Sequence, residues 1–345
     1  MPDLSLAELL ALILTLSLAA YVLLGGADFG GGVWDLFASG PRRERQRDLI
    51  ARAIAPIWEA NHVWLILAIV LTFTCFPPAF ARLGTVLHIP LTLMLVGIVL
   101  RGSAFIFRAY DTDPDSQRRW GRLFAIASLV TPLLLGISIG AVASGRVVET
   151  EQGTFVSRFV APWLTPFSVA VGVMTLAIFA FLAAVFLTLE TTDRDLADDF
   201  RLRGLFAGAA VFGTAFLALA LSPADAPLVT EGLIGSPWAL PFHLLTGIFA
   251  VATLAALWGR RYRLARMTVG VQILCIVGGW AMVQYPYVIP PDLTIVEAAA
   301  PPVTLRLVLI VLAVGGVILL PSLVYLFRIF KSAPADQPGR PVGGG

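Results

Sequence analysis

Apolar residues run through this chain in blocks of about 20, each closed by a short polar, Pro-marked or Gly-marked break. A helix rising 1.5 Å per residue needs about that length to cross roughly 30 Å of hydrocarbon. Nine such blocks lie near 5–28, 53–75, 79–107, 121–143, 163–189, 204–222, 241–259, 267–285 and 304–328. Each must be helical, because an unpaired backbone N–H or C=O in lipid costs several kcal/mol. The pattern predicts an all-α integral membrane protein with a single transmembrane domain over 1–331. A loose Pro- and Gly-rich tail at 332–345 follows. No connection between blocks is long enough to fold as a domain of its own.

Composition sharpens this picture without changing it. Of the residues, 58% are hydrophobic and only 13% charged, and the mean hydropathy is +0.87; soluble chains carry about 25% charged residues. A net charge of +2 gives no ground for a nucleic-acid partner. Cys75 and Cys275 form no CxxC pair and no disulfide framework. The first apolar block has Asp3 and Glu8 before or within it and no basic flank, so it reads as a retained span rather than a cleaved signal.

The placement of basic residues predicts orientation. Arg42, Arg43, Arg45, Arg47 and Arg52 fall in the first connection, and every second connection after it is similarly basic. Together with the end of the chain these connections hold 19 of the 24 basic residues. The alternate connections hold only Arg82, Arg146 and Arg158. The positive-inside rule then puts the N-terminus outside and the C-terminus in the cytoplasm.

Ionisable groups within such blocks are expensive and mark candidate functional sites. Asp28 closes the first block in a stretch with five glycines in eight residues, Gly25 to Gly32. Those glycines, Gly26 and Gly30 among them, allow close helix packing or mark a helix end. The second block opens with Pro56, set for a first helical turn, followed by Trp58, Glu59, Asn61, His62 and Trp64. Glu59 and His62 share a face, as do Trp58 and Asn61. Counted from the start of the block, Glu59 lies about 10 Å in and His62 about 14 Å. Asp28, Glu59 and His62 thus form either the start of an inward proton path or a structural polar knot between helices. Arg101, deep in the third block, is expected to pair with Asp28 or Glu59, whereas Arg108 needs only to snorkel to the interface. His62, His88 and His243 raise the question of haem, but no spacing among them forms a ligand set, and no metal site is expected.

These residues carry a family resemblance. Gly26-Ala27-Asp28-Phe29-Gly30-Gly31-Gly32 resembles the GFDxGxG segment of subunit II of cytochrome bd-type quinol oxidases, and Pro56 to Trp64 resembles that family's PxW(D/E)xNxVW signature. Weaker matches at Phe105 to Arg108, Pro166-Phe167 with Gly172, Pro286 to Pro290 and Thr304-Leu305 follow in family order over nearly the whole chain. The resemblance implies two four-helix bundles plus one peripheral helix in a multi-pass protein of the bacterial inner (plasma) membrane. It implies a heterodimer with a subunit I that carries haem b and haem d, or a variant haem set, and reduces oxygen to water. This chain itself is expected to hold no haem. It would support the complex and contribute a cytoplasmic proton route through Asp28 and Glu59; the family also allows a structural quinone and small single-helix subunits. Trp58, Asn61, Trp64 and Arg101 are assigned to helix packing. The chain departs from relatives at Gly25, Ile106 and Leu182, where they carry polar or acidic residues. A secondary transporter using Asp28, Glu59 and Arg101 as ion or substrate ligands is the competing reading, although no internal repeat is evident.

Overall fold

In the apolar blocks every backbone amide must find a partner within its own segment, and the chain accordingly folds as helices joined by short connections. The computed structural model describes residues 5–55, 58–150 and 152–331. The helices are α1 (Leu6–Leu36), α2 (Arg43–Ile54), α3 (Trp58–Cys75), α4 (Pro77–Val86), α5 (His88–Tyr110), α6 (Pro114–Ala143) and α7 (Phe155–Phe159). They continue with α8 (Pro166–Leu187), α9 (Arg194–Asp225), α10 (Pro227–Thr230), α11 (Ala239–Trp258), α12 (Tyr262–Gln284) and α13 (Pro302–Lys331). A π turn, Glu231–Gly235, follows α10. A two-stranded antiparallel ribbon, β1 (Tyr287–Ile289) with β2 (Leu293–Thr294), pairs Tyr287 with Thr294 between α12 and α13.

Among the described residues, nine helices are long and apolar enough to cross a membrane: α1, α3, α5, α6, α8, α9, α11, α12 and α13. The first four form one bundle, α8, α9, α11 and α12 form a second, and α13 lies at the periphery against α1 and α3. No residue of the most apolar window of α13 is buried, as expected of a helix facing lipid. The bundles meet along α1, α6 and α8. Side-chain caps set several helix starts. Ser5 and Glu8 make a reciprocal capping box on α1, Asp113 caps α6, and Thr165 caps α8.

Three boundaries differ from the expected ones, each for a local reason. The first span continues past Asp28 to Leu36, because its glycines lie inside the helix and are covered by neighbours. The basic stretch read as connection folds as α2, whose Leu49, Ile50, Ala53 and Ile54 are buried while Arg43, Arg45 and Arg52 stay exposed. The expected third span is split at Leu87 into the short α4, opened by Pro77, and the spanning α5. Pro56 and the tail at 332–345 lie outside the described residues.

A buried polar centre at the arginine-rich end

The ends of α1, α5 and α8 and the starts of α3, α6, α9 and α12 gather at one end of the bundles, together with α2 and most of the arginines. α1 and α8 touch there. A Cβ added to Gly30 would stand 1.9 Å from the Phe179 carbonyl oxygen, and one on Gly26 would stand 2.7 Å from the Phe179 ring. Only glycine lets the two backbones lie this close. Trp34 fastens the same seam, its Nε1 donating to the Ala180 carbonyl at 2.7 Å.

Asp28 lies inside α1 and is 4% exposed. Eight residues before Leu36, it is about 12 Å short of the helix end. The Nδ2 of Asn61 on α3 donates to its Oδ2 at 2.5 Å and approaches the Leu24 carbonyl at 3.4 Å. Asn61 is therefore more than a packing residue, since it orients the buried carboxylate. Arg101 is 2% exposed. Its Nε donates to Ser128 Oγ at 3.1 Å, and its guanidinium stands 4.6 Å from the Phe29 ring centre and 5.1 Å from that of Phe124. The expected direct pairing of Arg101 with an acid gives way to a hydroxyl and two aromatic faces, with Asp28 attracted electrostatically. The rings and the hydroxyl compensate for water that this buried cation has lost.

His62 sits within ring-packing distance of Tyr21, Phe29 and Trp58, with centroids 5.9 to 6.2 Å away. Trp58 also packs on Phe105 and covers Gly102. Trp64 faces α13 across an apolar crevice that also has Leu24, Leu320 and Phe327 in its walls. Glu59 departs from the expected grouping. Glu59 is the second described residue of α3. It is exposed, and it does not line the cavity beside Asp28. Thus Asp28, Asn61, His62 and Arg101 come together, and Glu59 stands apart, exposed.

Three polar neighbours of this centre escape a reading of the sequence. Asp35, seven residues beyond Asp28 and 2% exposed, takes a hydrogen bond from Arg108 Nη1 at 3.1 Å and has Arg47 Nε at 3.9 Å. Arg108 does more than snorkel, because it neutralises a buried acid. The seven-residue spacing of Asp28 and Asp35 is the available signal, hidden when the helix is ended at its glycines. Ser128 has no signal in sequence at all. Glu190, just past α8 and 6% exposed, lines the same cavity as Asp28.

None of the three histidines lines either cavity among the described residues. His62 is enclosed by three rings, and His88 and His243 are bonded through Nδ1 to the Thr85 and Ala239 carbonyls. Neither the cavity beside Asp28 nor the crevice beside Trp64 has a histidine, methionine or cysteine in its wall.

Buried charges at one end of a glycine-sealed, nine-span helical assembly define a multi-pass membrane protein of the ion- or electron-transport kind. Residues 6–330 match the sequence profile of the cytochrome bd terminal oxidase subunit II family, and the chain belongs to that family. It is similar to a candidate cytochrome bd menaquinol oxidase subunit II of Bacillus subtilis (strain 168), 24% identical over 324 residues, 90% of this chain and 91% of that one. It also resembles the cytochrome bd-I ubiquinol oxidase subunit 2 of Escherichia coli (strain K12), 26% identical over 50% of this chain and 46% of the relative. The solved bd oxidase from Geobacillus thermodenitrificans shares the fold, with a TM-score of 0.75 and 23% identity over 95% of this chain and 99% of that one. Membership makes this chain subunit II of a membrane quinol:oxygen oxidoreductase, a haem-containing complex completed by a subunit I.

Proposed function

We propose that this chain is the haem-free, non-catalytic subunit of its oxidase, and that it delivers protons from the cytoplasm through Asp28. The observation that carries the reading is a carboxylate 4% exposed, oriented by Asn61, set about 12 Å from the arginine-rich end of α1. A buried carboxylate held by neutral donors and near a cation exchanges protons without leaving the membrane interior. The arginine-rich end faces the cytoplasm on this reading, and the membrane is the bacterial plasma membrane. Haem b and haem d, or a variant set, reside in subunit I, and the crowding of His62 by aromatic rings supports their exclusion from this chain. Glu59, exposed on α3, extends the path toward the surface of the chain, and His62 stands one turn further along the helix. A structural quinone and small single-helix subunits complete the proposed assembly. The transporter alternative is not favoured, because the family is that of an oxidase.

The test is purification of the complex through this chain. A reduced-minus-oxidised haem spectrum and quinol-dependent oxygen consumption are expected. A stable haem-free protein that moves solute into proteoliposomes by itself would overturn the reading. Glu59→Gln is expected to slow turnover a few-fold with haem content unchanged, measured as oxygen uptake per haem. An unchanged rate would remove Glu59 from the path while leaving Asp28 in it.

A further inference from the structure

Asp28 is not the only carboxylate at its cavity. A space of about 50 Å³ opens beside it, and its wall includes Asp28, Asn61, Phe186, Glu190, Arg266 and Phe327. At roughly 10–15 Å³ per water centre, this is room for about three to five waters. Glu190 belongs to the connection between α8 and α9, toward the arginine-rich surface, whereas Asp28 belongs to the interior of α1. The same small space therefore touches a carboxylate 6% exposed in the connection at the arginine-rich end and a carboxylate in the bundle. The charged groups in its wall are these two acids and Arg266, whose guanidinium stands 5.0 Å from the Phe186 ring centre.

A second observation is a set of buried polar atoms without a protein partner in and near this wall. Asn61 is 1% exposed and lines the cavity, yet its Oδ1 has no hydrogen-bond partner among the described residues. Further in, around Phe29, the same holds for His62 Nδ1 and Arg101 Nη2. Buried polar atoms without a protein partner are normally satisfied by ordered water. One of the orphaned atoms, Asn61 Oδ1, thus belongs to a residue in the wall of the cavity that Glu190 shares.

We propose that Glu190 is the proton-intake residue of the path to Asp28, passing protons from the arginine-rich surface through the cavity the two carboxylates share. The proposal rests on the proton-delivery reading above and deepens it. A proton from bulk water binds the Glu190 carboxylate. Its O–H bond then breaks as a proton moves along water, and a new O–H bond forms at the Asp28 carboxylate. Glu190 returns to its ionised form, and no electrons move.

The test uses the intact complex and three readouts: quinol-driven oxygen uptake, haem content and assembly. Glu190→Gln is expected to lower turnover at least five-fold with haem content and assembly at wild-type levels. Glu190→Ala is expected to be equally slow, and millimolar formic acid, small enough for the enlarged cavity, is expected to restore at least half of the lost rate. A purely structural glutamate would give no such rescue. Wild-type turnover in Glu190→Gln, or a slow Glu190→Ala that formic acid does not rescue, overturns the proposal. Should Glu190→Gln fail to assemble, dicyclohexylcarbodiimide labelling of the wild-type complex decides. An adduct on Glu190 that tracks loss of turnover supports intake, and its absence overturns it. Asp28→Asn separates the two levels. If it is slow while Glu190→Gln is normal, only the intake role falls; if Asp28→Asn itself turns over normally, the proton-delivery reading falls with it.

Discussion

The two four-helix bundles are built alike and differ in what they bury. The first encloses Asp28, Asp35, Asn61 and Arg101, none more than 4% exposed. The interior polar groups of the second are hydroxyls and amides: Thr253 donates to Thr268 at 2.9 Å, and Thr268 has its own helix carbonyl, that of Leu264, at 2.9 Å. Around them lie Phe181, Leu257, Val269 and Ile273. A threonine can satisfy its hydroxyl on its own helix and so tolerates small shifts of its neighbours. A buried charge cannot; it needs partners from other helices at fixed positions. The first bundle therefore depends on its packing for chemistry, while the Thr253–Thr268 interior of the second, away from Glu190 and the cavity at its edge, depends on packing for stability.

The glycine seam should show the contrast most strongly. Gly30→Val drives a branched side chain into the Phe179 carbonyl and forces α1 away from α8. The expected loss is about 3 kcal/mol, read as a lower unfolding temperature of the solubilised complex and reduced yield of assembled haem protein. Gly213 on α9 and Gly270 on α12 have nothing within 4 Å of an added Cβ. Gly213→Ala and Gly270→Ala are expected to be neutral or slightly stabilising, since alanine favours helix by about 1 kcal/mol. Equal damage at Gly30 and Gly213 would erase the distinction between the bundles.

Next in size is Arg101→Lys. Lysine keeps the charge but has no planar group to spread over both Phe29 and Phe124. A loss of about 2 kcal/mol is expected, because the buried ammonium forfeits most of its compensation. Turnover should fall alongside stability, as Asp28 loses a correctly placed neighbour. A stable variant with normal oxygen uptake would show that the charge alone matters, whatever its shape.

How much of this contrast is legible in the amino-acid sequence depends on the range of the force concerned. The spans are legible because lipid imposes one rule, a long apolar helix, on each of them. Asp28 and Arg101 are legible because a charge in an apolar block is conspicuous by itself. The partner of Arg101 is not, since Ser128 is 27 residues away on another helix and looks like any other serine. Asp35 stays hidden because a run of glycines reads as the end of α1, whereas here the close approach of α8 requires them inside the helix. Glu59 shares a helix face with His62 in sequence, but the fold leaves it exposed and off the cavity wall. Glu190 lies in a connection, where an acid attracts no notice until the fold sets it beside Asp28.

In the second bundle, Thr253→Val removes one neutral hydrogen bond while keeping the shape of the side chain. A loss of no more than about 1 kcal/mol is expected, with oxygen uptake per haem unchanged. A drop in turnover without a drop in stability would bring the second bundle into the chemistry and break the comparison.

The smallest effect lies outside both bundles, where α2 is tied to the start of α9. Arg42 and Gln46 bind Asp199, and Arg45 pairs with Asp193, the N-cap of α9. The backbone N–H of Asp195 holds the Asp193 carboxyl below its ordinary range, and Arg45 adds to this. A depressed carboxyl stabilises the fold only while it is ionised. Its contribution is complete above the unfolded value, about 3.9, and disappears as pH falls through the lower folded one. Asn at this position still caps the helix but cannot attract Arg45. Asp193→Asn is therefore expected to cost less than about 1 kcal/mol at pH 7, and the gap from wild type should close as pH is lowered below about 4. Thermal unfolding of both proteins across that range checks it. A gap that persists in acid would mean that the cap geometry, rather than the charge, joins the surface helix to the second bundle.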